Sequence, residues 1–312
     1  MTKPMPSEHT TRHLAARLLL DWLSQRFDTR FDLPETHGDA LTASDGTHRI
    51  GLHIAPLWND DAAWEERLRA MEARLEVGGG AFVLWVPPRA DVPSDEPAAS
   101  DFVDRVRSAA ASLAPGEQTE VLFPATVKLA KVREEGGYAS VVGGLSRWWT
   151  RITENVQGTY HVDSTAVHRI TRDSEGREGL WQTIGRLSHG VALGQAAEFE
   201  IDEAWTLQRL GDDAGAGTAL VGAPPSADPT DGILVRRTAR KRLAAANDAL
   251  GGLDVDLRAV GLIGGYEYAE VETASGTIKA LAPSLYSRLE VVCILVDGEV
   301  RPVFLPRALP WA

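Results

Sequence analysis

The sequence predicts an α/β fold, a mixed sheet with flanking helices, followed by a smaller α+β module. Three observations carry this. Ile50, Leu52 and Ile54 alternate with their neighbours before Pro56 closes the run, and residues 81–86 (AFVLWV) form an unbroken apolar stretch; both read as strands. Helical spacing separates and precedes them. A segment of Gly, Ala, Pro and Asp at 211–232 then divides this region from a last block that ends in an Asp297-Gly298 hairpin turn.

In order, residues 9–27 predict the first helix, because Leu14, Leu18, Leu19 and Trp22 make one apolar stripe. Residues 39–43 predict a strand paired through the Asp45-Gly46 turn to the strand at 50–56. Asn59 or Asp60 is suited to cap the next helix, which runs to about residue 76 and stops at glycines 78–80. The continuous apolar run at 81–86 suits a strand buried on both faces. A loop, a helix near 100–113 and a strand at 120–132 follow, with Pro124 favouring an edge or a bulge. Residues 146–210 read as a helical and irregular extension of this first domain of residues 1–145. Beyond the linker, 235–250 is a helix ended by Gly251-Gly252. Strands are expected at 255–262, 266–272, 277–280, 290–296 and 300–304, making 233–312 a module of its own.

Composition narrows the function classes. No window approaches the roughly 18 apolar residues of a membrane span, and the short N-terminal apolar run is broken by Asp21 and Arg26, so a cytoplasmic, bacterial protein without a membrane partner is expected. Cys293 is the single cysteine, which leaves neither a disulfide nor a cysteine-based zinc site within one chain. With 32 basic and 44 acidic residues the net charge is -12, so contact with nucleic acid requires a local basic face that overrides the overall field.

One such face is written at Arg236-Arg237-Thr238-Ala239-Arg240-Lys241-Arg242. On a helix Arg236 and Arg240, and Arg237 and Lys241, form i, i+4 rows suited to phosphate, nucleic acid or an acidic partner. The alternative is a solvated helix start whose arginines pair with Asp228 and Asp231. Trp148 and Trp149, beside Arg147 and Arg151, suit either a stacked ligand or one ring in the core and one at an interface. His161, Asp163 and His168 offer a two-histidine, one-carboxylate set for a metal, against a reading in which Asp163 or Ser164 caps a turn. Gly136-Gly137 and Gly143-Gly144 lack the spacing of a nucleotide loop.

The helix–hairpin–helix–strand order over residues 10–86 resembles the core of the PD-(D/E)XK nuclease superfamily. The resemblance implies an early acid and an acid-x-Lys triplet that hold a divalent metal and position water. Asp39 matches the first acid, whereas the triplet falls on His53-Ile54-Ala55, so a histidine and an alanine stand where the second carboxylate and the lysine belong. Lys128 is the nearest substitute on a later strand. Mg²⁺ prefers oxygen ligands, and one Asp with one His supplies them poorly. The expected function is therefore a non-catalytic scaffold or adaptor subunit with protein partners and no cofactor. Nucleic acid is a further partner through the basic helix. The competing expectation is a metal-dependent nuclease-like enzyme using Asp39, His53 and Lys128.

Overall fold

The computed structural model describes residues 7–75, 79–88, 90–211, 216–228, 231–264 and 268–311. It shows a mixed α/β protein with two mixed sheets flanked by helices. The contacts divide into two compact units, one made of the residues before 120 together with those after 205, the other of Glu120–Trp205.

The larger unit opens with helix α1 (Ser7–Phe27) and strands β1 (Glu35–His37), β2 (Ala40–Ser44) and β3 (Arg49–Pro56). The Asp45-Gly46 turn joins β2 and β3 as expected, with Leu41 opposite Leu52 and Ala43 opposite Ile50. Asp45 Oδ1 accepts from the backbone N–H groups of Thr47 and His48, and Gly46 takes a φ of 91° that its missing Cβ permits. Helix α2 (Ala62–Arg74) follows; its cap is Asp61, one residue past the expected Asn59 or Asp60, and it accepts from the N–H of Trp64. Trp64, Leu68 and Met71 make its buried stripe. Strand β4 (Ala81–Trp85) and helix α3 (Ala98–Ala111) complete the first half.

The chain returns to this unit at the end of strand β8 (Ala196–Arg209). Strand β9 (Gly217–Val221) then lies parallel to β4, which pairs antiparallel with Thr206–Arg209 on its other side. The linker expected at 211–232 thus contains a buried strand. Thr218-Ala219-Leu220-Val221 is too short an apolar run to stand out among the glycines and prolines around it, and four consecutive residues of the expected linker, 212–215, lie outside the described ones. Helix α6 (Gly232–Gly251) is capped by Asp231, whose Oδ1 accepts from the N–H groups of Ile233 and Leu234. Strand β10 (Leu257–Ile263), helix α7 (Tyr268–Lys279) and strands β11 (Val291–Val296) and β12 (Glu299–Phe304) end the chain. The strands expected at 266–272 and 277–280 are replaced by α7, because Ala274 and Ile278, one helical turn apart, are both buried against the sheet; residues 266 and 267 lie outside the described ones.

The expected separate C-terminal module is not shown. The first sheet runs β1-β2-β3-β10-β11-β12, so the strands after residue 233 complete the sheet begun before residue 57. β10 lies parallel between β3 and β11, with Val260 opposite both His53 and Val292. On one face, α1 packs with Leu52, Ile54, Ala259 and Cys293, and β4 and β9 join the same cluster through Val83 and Val221. On the other, α6 and α7 cover Val260, Leu262, Val292 and Ile294. The nuclease-like core is likewise not shown, because β4 pairs with β8 and β9 while β10 takes the place beside β3.

In the smaller unit the strand order is β6 (Gly137–Gly143), β7 (Gly158–Ser164), β5 (Gln118–Arg133), then β8. Helices α4 (Trp149–Asn155) and α5 (Ser174–Gly190) flank it, and Val127, Leu129, Ile152, Tyr160, Val162, Trp181 and Ile184 form its core. The extension expected at 146–210 therefore carries strands β7 and β8 beside helices α4 and α5. β8 escapes a sequence reading because it alternates Glu and Asp with its inward residues.

Since β10 pairs with β3 along seven residues, a chain ending at residue 232 is expected to lose cooperative folding of the larger unit. Far-UV circular dichroism during thermal melting checks this; a sharp transition in the shortened chain would show that the first half folds alone.

Candidate functional site

β3 and β10 are adjacent parallel strands whose connections leave toward opposite faces of the sheet. From β3 the chain enters α2, which holds β9 through the Trp64 Nε1–H bond to the Gly222 carbonyl (2.9 Å) and the Leu220 N–H bond to Glu72 (2.8 Å). From β10 it passes to α7 on the α6 side. Open α/β sheets form a crevice at such a divergence, outside the carboxyl ends of the strands. Here the crevice is a cleft of about 470 Å³ lined by Ile54, Ala55, Pro56 and Ile263 at the strand ends. That is within the usual range for a small-molecule site.

Its polar groups come from several elements. α1 brings Thr11 and Arg12, the β1–β2 turn brings Asp39, β3 brings His53, and α2 brings Glu65, Arg69 and Glu72. α6 brings Arg242, while Trp58 and Trp64 add aromatic surface. Arg242 is occupied structurally: it donates to the carbonyls of Pro56 (3.1 Å) and Trp58 (3.2 Å) and to Asp60 (2.5 Å), fixing the chain as it leaves β3. Arg12 Nη2 donates to the Asp39 carbonyl at 2.5 Å.

His53 is only 9 % exposed. Burial pushes its ring below the usual imidazole range, helped by the nearby Arg12 guanidinium, while a hydrogen bond to the Asp39 backbone opposes the shift. The ring is thus neutral at pH 7. With one nitrogen committed to a backbone carbonyl, and so bearing the proton, Nδ1 is left as an acceptor. Among the described residues His53 Nδ1 and Arg12 Nε are buried polar atoms without a partner. Glu72 is raised to about 7 by burial, against the Leu220 N–H and Thr11 hydroxyl bonds that favour its charged form.

Of the residues singled out in the sequence, the structure brings Asp39 and His53 to this cleft. Lys128 belongs to the smaller unit, where its ammonium pairs with Glu198 at 3.1 Å. His161 is exposed on β7. Asp163, two residues along, accepts from the N–H and hydroxyl of Thr165 in a local turn, and His168 holds Glu203 through its backbone N–H. No group of three His, Cys, Asp or Glu side chains suited to a metal occurs among the described residues. Ser164 is fully buried and donates to the Val142 carbonyl. Trp148 lies 5.7 Å from Trp181 with Arg147 and Arg177 over its ring, whereas Trp149 is half exposed beside Tyr138. Arg236, Arg237, Arg240 and Lys241 are exposed on α6. Among the described residues no helix is long and apolar enough to cross a membrane. Arg12, Glu72 and Arg242 had no sequence signal as a group, because only folding joins α1, α2 and α6 around one strand end. Comparison with protein-family models, with curated proteins and with solved structures gives no match.

The Glu72 carboxyl makes the site pH-sensitive. Between its ordinary value of 4.5 and about 7 the folded chain keeps a proton that the unfolded chain has released, so stability falls as pH rises through that window. Glu72→Gln is expected to remove this slope and to stabilise the protein at pH 8 by about 2 kcal/mol. Urea denaturation of both proteins at pH 5 and pH 8 measures it; parallel pH dependence would show that Glu72 titrates normally.

Proposed function

We propose that this chain is a non-catalytic binding subunit that holds a small hydroxyl-bearing ligand in the cleft at the carboxyl ends of β3 and β10. The observation that carries the reading is the convergence on one cleft of Thr11, Arg12, Asp39 and His53 with the aromatic surfaces of Trp58 and Trp64. Trp58 and Leu68 supply apolar surface to the same cleft, as the ring of a sugar, nucleoside or similar polyol requires. The described lining of the cleft holds no lysine, serine or cysteine beside Asp39 and His53, which supports the non-catalytic assignment. The exposed Trp149 and Tyr138 on the smaller unit suit the protein partner of an adaptor.

Thermal-shift measurements across nucleosides, free sugars and sugar acids test the ligand. A bound compound at a hundred times its Kd stabilises by about 2.7 kcal/mol, a rise of several degrees in Tm. His53→Phe keeps an aromatic ring and removes the imidazole nitrogens, so the rise is expected to vanish in that variant. A shift that survives the substitution, or no shift with any compound, would sink the proposal.

A second reading is favoured by one observation, that Asp39 and His53 share the cleft. It holds the chain to be a metal-dependent nuclease-like component in which these two residues hold a divalent cation. Cleavage of single- or double-stranded DNA or RNA with Mg²⁺ or Mn²⁺, abolished by Asp39→Ala, is its expected outcome; cleavage unaffected by that change, or no cleavage, rejects it.

A further inference from the structure

Helix α6 turns two surfaces in different directions. Val235, Ala239, Leu243, Ala246 and Leu250 pack into the sheet, and Arg242 is drawn into the carbonyls at the end of β3. The remaining cations of the run, Arg236, Arg237, Arg240 and Lys241, stand exposed. Asp231, the nearest acid in sequence, spends its Oδ1 on the backbone N–H groups of the helix start instead of on an arginine. Among the described residues none of the four makes an ion pair or a hydrogen bond through its side chain. Four uncompensated cations within six positions are unusual for a chain of net charge -12.

We propose that this face of α6 binds the phosphate backbone of duplex nucleic acid. The four side chains occupy two i, i+4 rows over about 8 Å of helix axis. One strand of a duplex presents a phosphate about every 3.4 Å of its axis, so the patch matches two or three consecutive phosphates. Three of the four are arginines, whose forked N–H groups suit phosphate oxygens better than a point charge does. An unpaired strand would need an aromatic shelf for its bases, and residues 232–242 contain no aromatic side chain. An acidic protein partner would need an apolar centre to bury, and Ile233, 83 % exposed at one end of the patch, is the only large apolar side chain exposed in that stretch. The face therefore reads charge and carries no base-specific element, so binding is expected to be independent of sequence.

The test is fluorescence anisotropy of the full chain with a labelled 20-base-pair duplex, titrated over roughly 50 to 200 mM salt. The logarithm of the binding constant should fall against the logarithm of salt with a slope of about -3, close to 0.9 per phosphate neutralised. Changing Arg236, Arg237, Arg240 and Lys241 together to Gln should flatten the slope toward zero and weaken binding about thirty-fold at low salt, with Tm unchanged because all four are exposed. Arg236→Lys with Arg237→Lys and Arg240→Lys keeps the charge, so it should retain the slope with a several-fold loss of affinity. The proposal is overturned if the wild type does not bind, if the glutamine variant binds with the wild-type slope, or if a poly-glutamate peptide of equal charge binds as tightly as the duplex.

Discussion

Everything in the larger unit depends on the insertion of β10 between β3 and β11. A central strand buried on both faces has no water for its backbone groups, so each N–H and C=O must find a partner on a neighbouring strand. β3 finds β2 on one side through a tight local turn. On the other side it finds β10, about two hundred residues away in the chain, with Leu257 through Ile263 in register against Ile50 through Pro56. That parallel pairing closes one sheet from two distant segments. It also fixes where α1 packs on one face and where α6 and α7 pack on the other.

The cleft follows from the same pairing. Two parallel strands that end together and whose chains depart toward opposite faces leave the space above their ends uncovered. α1, α2, α6 and the β1–β2 turn surround that space, and the polar groups they bring are of two kinds. Arg242, Trp64 and Asp61 are consumed in holding chain ends, through bonds to Pro56, Gly222 and the start of α2. His53 and Arg12 are buried there with a polar atom to spare. Burial without pairing is costly in a stable fold. The same low-dielectric surroundings hold His53 neutral and keep a proton on Glu72 near neutral pH.

α6 shows how one helix separates structural from available charge. Its run of five basic residues looks uniform in sequence. Rotation by 3.6 residues per turn places Arg242 over the strand end, where carbonyls and Asp60 hold it, and leaves the other four facing water. The distinction between a positioning arginine and a binding one thus depends on the phase of the helix against the sheet.

The alternation of Ile50, Leu52 and Ile54, the Asp45-Gly46 turn, the apolar run at 81–86 and the Asp297-Gly298 hairpin were legible by themselves, because each rests on local periodicity or turn chemistry. Helix α6 was legible for the same reason, though not which of its five basic residues face water. The Gly, Ala and Pro around Thr218–Val221 concealed β9, and the described part of the stretches read as strands at 266–272 and 277–280 falls mainly in helix α7, whose Ala274 and Ile278 are buried against the sheet. Local sequence thus set the elements and the side chains each could expose. The tertiary structure alone decided that the two ends of the chain share one sheet, and that Arg12, Asp39, His53, Glu72 and Arg242 meet at the carboxyl ends of its central strands. Contacts between segments far apart in sequence leave no period for a single chain to display.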